Sequence, residues 1–230
     1  MFFFLYYQRV LGNNKKKNFL NFTNQKKIIL FKETEILLFF IIIVIIDSYF
    51  FNLPVNNLDN FHEGEWLTPA YIYNEYNYIW SKSYFAHGFF YDVLHPVISW
   101  KLFNNYSIAS SRLFILCLII LKKILLLILV YLISNQLKLK KKSRIIFFFL
   151  LSITVLYLSK ISLETSYLNF RDIIIVLFLI SVVLINKSFF TFLTGLLATI
   201  SLFISIDRGI YINFIFFFLL FFFYFFKKKK

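Results

Sequence analysis

The chain has one cysteine, Cys117, among its 230 residues, so no disulfide can form within it. Acidic residues are also few: 11 Asp and Glu stand against 25 Lys and Arg, which gives a net charge of +14. A basic surplus is typical of nucleic-acid-binding proteins, but here most of the basic residues adjoin apolar segments, where positive charge sets membrane orientation. We therefore expect no nucleic-acid partner.

The apolar segments exclude a soluble globular domain. Hydrophobic residues make up 60% of the chain, and they form runs that a soluble domain of this size could not bury. The runs lack the two-residue alternation of barrel strands, which leaves membrane-spanning helices. We predict an all-α membrane protein of about six transmembrane helices, at residues 36–51, within 108–134, and at 145–159, 173–185, 189–206 and 210–226.

The positions of the basic residues predict the orientation of these spans. Clusters stand in residues 1–34, 138–144 and 227–230. Both termini are then cytoplasmic, with 1–34 as a basic tail and 35–230 as a multi-pass domain, which we expect in a bacterial inner membrane. The opening apolar residues, 1–7, are too few for a signal peptide and its cleavage site, so we expect no removable signal.

Acidic residues show the opposite bias. All except Glu33 and Glu35 fall on the non-cytoplasmic side or at its membrane boundary. Because acids contribute little to insertion orientation, this bias is not a by-product of the rule for basic residues. It indicates an acidic site that faces outward, or outer loops in which acids are merely tolerated.

Two lysines, Lys122 and Lys123, interrupt the second apolar run. Charges near the bilayer centre are costly, by at least about 2.5 kcal/mol. Either the pair faces a watery cavity, or the run is broken into a short span and a second helical piece, or the lysines snorkel from one long tilted helix. We favour the tilted helix, and the span count here depends on that choice.

The outer loop between the first two spans, residues 52–105, is long for a structureless connection and rich in Trp and Tyr, which prefer the headgroup boundary. A helix over 69–81, capped by Thr68 and begun by Pro69, is predicted to lie along the membrane. Earlier in the loop, three carboxylates and one imidazole fall within seven residues: Asp59, His62, Glu63 and Glu65. Such a group can act as a general base or hold a divalent cation, although solvated loop acids are the commoner explanation for any single one.

Further polar residues follow towards the second span. The spacing of His87, Asp92 and His95 fits no closed zinc pattern and favours a structural or hydrogen-bonding role over metal ligation. Arg112, at the outer start of the span, could bind a phosphate or anchor the helix. The pairs Arg171-Asp172 and Asp207-Arg208 stand at later span ends, where they could be local charge pairs.

In this order of elements the chain resembles the GT-C superfamily of integral-membrane glycosyltransferases, which use polyprenyl-phosphate-linked sugars. Members of that superfamily have one span, a long outer loop with an acidic motif and membrane-parallel helices, a His-Pro element entering the next span, and then an arginine. The corresponding residues here are Asp59 with Glu63 and Glu65, His95-Pro96 and Arg112, and residues 167–172 and 206–209 match the family's charged outer turns.

The resemblance implies transfer of a sugar from a polyprenyl-phosphate donor to an acceptor hydroxyl on the non-cytoplasmic face, among membrane lipids. Asp59, Glu63 or Glu65 would be the base. Cations would stabilise the leaving phosphate, and a divalent cation is possible. The substrate-binding candidates are His62, His87, Asp92, His95, Arg112, Arg171, Asp172, Asp207 and Arg208.

The chain also departs from the superfamily. Members usually have more spans and often a soluble outer domain, so the resemblance implies a truncated or split member. The alternative is a non-catalytic membrane protein, such as a lipid-linked saccharide flippase or transporter, or an inactive fragment. Transport usually needs charge or broken helices at mid-membrane, where only Lys122 and Lys123 qualify, and this favours the enzyme.

Overall fold

The computed structural model of the chain describes residues 33–49, 60–76, 87–137, 139–161, 171–185 and 188–227. These residues are helical and include no β-strand, which confirms the all-α prediction. They belong to one compact unit, Lys32–Lys230. In chain order the elements are α1 (Glu33–Tyr49), α2 (Asn60–Tyr76), a π-helical turn (Phe90–Leu94), α3 (His95–Phe103), α4 (Ile108–Gln136), α5 (Lys141–Ile161), α6 (Ile173–Val183), α7 (Ser188–Ile204) and α8 (Ile206–Lys227).

Helix α4 is one unbroken helix of 29 residues. It begins at Ser107, an extended residue whose side-chain oxygen accepts a hydrogen bond from the Ser110 amide at 3.2 Å, as an N-cap does. Within the described residues it is the one helix both long and apolar enough to cross a membrane. The shorter apolar helices include α6 and most of α7.

The second half of α4 packs between two groups of helices. On one side, Phe40 and Val44 of α1 are buried with Leu127 of α4, and Leu156 of α5 packs against them. On another, a cluster joins α6, α7 and α8 through Ile174, Phe178, Ala198 and Ile212. One apolar cluster thus joins α4 to α1 and α5, and a second joins α6, α7 and α8.

Polar contacts fix which helix ends lie together. At one end, Arg144 of α5 donates to Glu33 of α1 at 2.6 Å, and Gln136 of α4 donates to the Val183 carbonyl of α6. The lysines at residues 140–142 are at this end, which we call the basic end. At the opposite end of α1 and α6, Asp47 and Asp172 lie near the middle of α4, and we call this the acidic end.

The second apolar run forms one unbroken helix, as favoured from the sequence, and its two lysines, Lys122 and Lys123, are buried. Their side chains are only 6% and 3% exposed, and their Nζ atoms lie 3.8 Å from Asp172 and 3.4 Å from Asp47. The reason is that α1 ends and α6 begins beside the middle of α4, which brings two carboxylates to the lysines. Paired charges can be buried where lone charges cannot.

Helix α2 begins earlier than predicted. The expected start at Thr68-Pro69 was wrong, because both residues lie inside a helix that begins at Asn60. Proline removes one helical hydrogen bond, but Glu63, Trp66 and Ala70 form a buried face that continues across this point. Tertiary packing therefore outweighs the local stop signal. The last predicted residues of this helix, 77–81, lie outside the described residues.

Candidate functional site

Two residues predicted to act in catalysis and binding, Glu63 and Arg112, form a closed ion pair between α2 and the first turn of α4. Arg112 donates from Nε to Oε1 of Glu63 at 2.6 Å and from Nη2 to Oε2 at 3.0 Å. The two residues are 2% and 5% exposed. In such a bidentate contact each carboxylate oxygen already accepts a hydrogen bond from a charged donor. Glu63 is thus placed to hold α2 against α4.

The other members of the predicted acidic cluster are differently placed. Asp59 lies outside the described residues, as does the side chain of His62. Glu65 is on α2 and exposed. Of the two described carboxylates, Glu65 is therefore the one that can reach a ligand in solution.

Asp92 and His87 hold the start of the π-helical turn. Asp92 is buried, accepts a hydrogen bond from the His87 amide at 2.7 Å, and has its other oxygen 3.2 Å from Nδ1 of His87. This arrangement agrees with the hydrogen-bonding role favoured from their spacing. Single π-helical turns occur frequently at functional sites.

His95 is fully buried between two aromatic rings. Its ring centroid lies 5.0 Å from that of Trp66 and 5.9 Å from that of Tyr91. Burial lowers the pKa of His95 to about 3, although backbone contacts with Tyr91 and Phe90 act in the other direction. His95 is therefore neutral at physiological pH and belongs to the packing below the site.

Tyr91 is the residue that sequence reasoning missed. Its ring lies 5.3 Å from that of His87, and the guanidinium carbon of Arg171 stands 4.6 Å over its face. Tyr91 thus joins the histidine segment to the arginine at the start of α6. The four-residue spacing of His87, Tyr91 and His95 is the signal that could have found it, since such residues share a helix face.

The later charged turns come together as a network. Arg208 donates from Nε to Asp172 at 2.7 Å and contacts Asp207 from Nη1 at 3.2 Å. Arg171 contacts the same Asp207 oxygen at 3.3 Å, and Lys122 lies 3.8 Å from Asp172. The result is a chain of ion pairs, Lys122, Asp172, Arg208, Asp207 and Arg171, which we call the ion network. It joins α4 and α6 to the turn between α7 and α8.

The electrostatics of the ion network keep Asp207 ionised. Partial burial alone would raise its pKa, but a 2.5 Å hydrogen bond from Ser205, with the charges of Arg171 and Arg208, lowers the pKa below its ordinary value. Three cations and two carboxylates make up the network. The neighbouring pair of Lys123 and Asp47 is balanced.

An apolar cavity lies against the ion network. It has a volume of about 120 Å³ and is lined by Arg171, Tyr91 and aliphatic residues of α4 and α6, including Leu118, Leu121 and Ile174. Engineered apolar cavities of about 150 Å³ hold a benzene molecule. The cavity here is thus large enough for a small apolar group.

Searches with known protein families, with curated proteins and with solved structures found no match for this chain. Function is therefore argued from the site alone. Within the described ranges, no three His, Cys, Asp or Glu side chains are grouped so as to hold a metal ion. Eight of the twelve sequence-predicted residues fall into three groups: Glu63 with Arg112, His87 with Asp92, and Arg171 with Asp172, Asp207 and Arg208.

Proposed function

We propose that the chain is a six-span membrane protein with the acidic end on the non-cytoplasmic side. Helices α1, α5, α7 and α8 have 17, 21, 17 and 22 residues, within the range of about 17–25 that spans use. Many large apolar side chains of α7 and α8 are exposed, as lipid-facing positions would be. The separation of basic and acidic ends supports the orientation.

At the acidic end we place transfer of a sugar from a polyprenyl-phosphate donor to an acceptor hydroxyl, as in the GT-C superfamily. The observation that carries this proposal is the ion network, with its two arginines, beside an apolar cavity. A lipid phosphate has the matching parts, one anionic group and an apolar chain. Arg171 and Arg208 would donate to the phosphate oxygens as negative charge develops on the leaving group.

The general base would be Glu65 or Asp59. It takes the proton of the acceptor hydroxyl, whose oxygen bonds to the anomeric carbon as the bond from that carbon to the phosphate oxygen breaks. Glu63 is a weaker candidate because its carboxylate is held by Arg112. We assign Glu63 the task of positioning α2, and with it Glu65.

Transport of a lipid-linked saccharide is the second candidate. The buried lysines Lys122 and Lys123, paired with Asp172 and Asp47, are charges inside an apolar bundle, and such charges often mark transport pathways. Because the two lysines lie beside the end of α1 and the start of α6, they are equally suited to hold these helices in position against α4. Movement of a labelled lipid-linked sugar across proteoliposomes without its consumption would favour transport.

The test is release of polyprenyl phosphate from a polyprenyl-phosphate-linked sugar by the reconstituted full chain. A cell-envelope extract supplies the acceptor, and polyprenyl phosphate is released whichever hydroxyl in the extract takes the sugar. We expect Glu65→Gln or Asp59→Asn to lower release by at least about 100-fold. The matched control is Glu75→Gln, another exposed carboxylate of α2, which should leave release unchanged. Full release by both Glu65→Gln and Asp59→Asn would remove the proposed base.

A further inference from the structure

One face of α5 carries a lysine followed by apolar side chains. Lys142, Ile146, Leu150 and Ile153 are three or four residues apart, so they lie along one face of the helix. Lys142 is exposed, and the three apolar side chains are 59%, 59% and 44% exposed. We call these four residues the α5 stripe.

The opposite face of α5 packs into the bundle. Phe148 and Ser152 are fully buried, and the Phe148 ring lies 6.5 Å from that of Phe40 in α1. On the same face, Arg144 donates a hydrogen bond to Glu33 of α1 at 2.6 Å. The α5 stripe therefore points away from these contacts and is accessible to a partner.

The lysines at the turn into α5, residues 140–142, are exposed and lack a neutralising carboxylate. Glu33, the acid of the basic end that faces α5, is engaged by Arg144, whose Nε and Nη2 both donate to one of its oxygens. Among the residues that the structure describes, no carboxylate forms an ion pair with any of these lysines. Residues 1–32 contain no Asp or Glu, so that segment cannot supply an anion either. The lysine charge thus favours an anionic partner.

The apolar part of the α5 stripe has the length of one lipid leaflet. At a rise of about 1.5 Å per residue, Lys142 and Ile153 are roughly 16 Å apart along the helix axis. The hydrocarbon layer of a bilayer is about 30 Å thick, so one leaflet supplies about half of that. A phospholipid carries its charge at one end of such a length of hydrocarbon. An acidic peptide or a nucleic acid would leave the apolar side chains uncovered.

We propose that the α5 stripe binds a phospholipid with an anionic headgroup, in the leaflet at the basic end. The lysines at 140–142 contact the headgroup, and an acyl chain lies along Ile146, Leu150 and Ile153. A phospholipid with a choline headgroup has the same chains but no net charge, so the site selects by charge. This inference rests on the membrane placement in the proposed function and is independent of the sugar transfer.

Native mass spectrometry of the full chain, released from detergent micelles, measures this selectivity. The probes are dioleoylphosphatidylglycerol and dioleoylphosphatidylcholine, which share their acyl chains and differ in net charge. We expect the wild type to retain the anionic lipid preferentially. Lys142→Gln should lower the preference about fivefold, the usual contribution of one lysine near anionic lipid. Replacement of all three lysines at 140–142 by glutamine should lower it on the order of a hundredfold.

Two further variants separate this site from a general effect of positive charge. Lys142→Arg keeps the charge and should retain the preference of the wild type. Lys101→Gln is the matched control, because Lys101 is an exposed lysine of α3, away from the basic end, and its loss should leave the preference unchanged. Equal retention of the two lipids by the wild type overturns the inference, as does an equal loss of preference in Lys101→Gln and Lys142→Gln.

The apolar part of the α5 stripe is tested with Leu150→Ala and with glycerol phosphate, which has no acyl chains. Leu150→Ala should weaken retention of both lipids alike and leave their ratio unchanged. Glycerol phosphate that binds as tightly as the whole anionic lipid overturns the inference, as does a second copy of the chain that displaces lipid from the α5 stripe. Selective retention of the anionic lipid without sugar transfer would keep the inference and reject the proposed reaction.

Discussion

The molecule holds two arginine–carboxylate sites that differ in how they are completed. Glu63 and Arg112 form one two-pronged contact, and each is almost wholly buried. In the ion network the carboxylates are shared: Asp207 contacts two arginines, and its side chain is 40% exposed. The first site is closed by two hydrogen bonds between one arginine and one carboxylate, whereas the second shares its carboxylates among several cations and adjoins a cavity. The first pair therefore suits a structural role, and the exposed carboxylate of the second leaves it open to solvent.

The largest loss of stability is expected from Glu63→Gln. The substitution leaves the buried Arg112 charge without its carboxylate, which costs about 3–5 kcal/mol in comparable buried pairs. We expect a large fall in the unfolding temperature, measured by thermal denaturation in detergent. Glu65→Gln is the control, because its exposed side chain should change stability by no more than about 0.5 kcal/mol. Equal stability of the two variants would contradict the structural role of Glu63.

The complementary change in the ion network is Arg208→Gln. Loss of a hydrogen bond to a charged group costs about 1.5–3 kcal/mol, so farnesyl phosphate should bind roughly ten- to a hundredfold more weakly, as titration calorimetry would record. Stability should change less than in Glu63→Gln, because the Arg208 side chain is 29% exposed. Unchanged affinity would show that the ion network does not bind the phosphate.

Acid should destabilise the fold through His95, which is buried between the rings of Trp66 and Tyr91. The pKa of His95 is about 3 in the fold, against an ordinary value of 6.5. The unfolded chain therefore binds a proton on His95 more readily than the folded chain does. The stability that the neutral His95 ring contributes is complete above about pH 6.5 and is lost as pH falls from there towards 3. The loss should be at most about 1.4 kcal/mol per pH unit. Denaturation between pH 7 and 5 measures it, and His95→Phe should flatten the dependence; an unaltered slope in that variant would reject the assignment.

The smallest effect should come from the balanced pair beside the ion network. Asp47→Asn leaves the buried Lys123 without its carboxylate, while Lys123→Met replaces the ammonium by an apolar group of similar length. Asp47→Asn should lower the free energy of unfolding by about 1 kcal/mol, because the Asp47 side chain is 46% exposed. Lys123→Met should lower it by less. Thermal unfolding of both variants checks this order, and a larger loss in Lys123→Met would show that the pair itself stabilises α4.

Local patterns were enough to predict most helices. The apolar run at 108–134 gave α4 to within a few residues, and the start of α6 was predicted correctly at Ile173. These segments are almost wholly apolar, and in α4 the interruption at Lys122 and Lys123 does not break the helix. At Thr68-Pro69 a local signal did compete, and it failed because the buried face of Glu63, Trp66 and Ala70 extends across it.

The site was only partly predictable, because its contacts join residues far apart in the chain. The pairing of Glu63 with Arg112, and of Lys123 with Asp47, depends on where helices end relative to α4, and residue spacing carries no information about that. Charge type and position did identify Arg171, Asp172, Asp207 and Arg208. Tyr91 was overlooked because one tyrosine in a chain with 15 of them stands out only through its neighbours.

Cysteine labelling from the two sides of the membrane tests the central claim, that the acidic end faces away from the cytoplasm. The native Cys117 is replaced by serine, and either Glu65 or Lys142, exposed residues of the acidic and basic ends, is replaced by cysteine. In intact cells, a membrane-impermeant maleimide should label Glu65→Cys at once and Lys142→Cys only after permeabilisation. The reverse pattern would place the ion network in the cytoplasm and contradict the account.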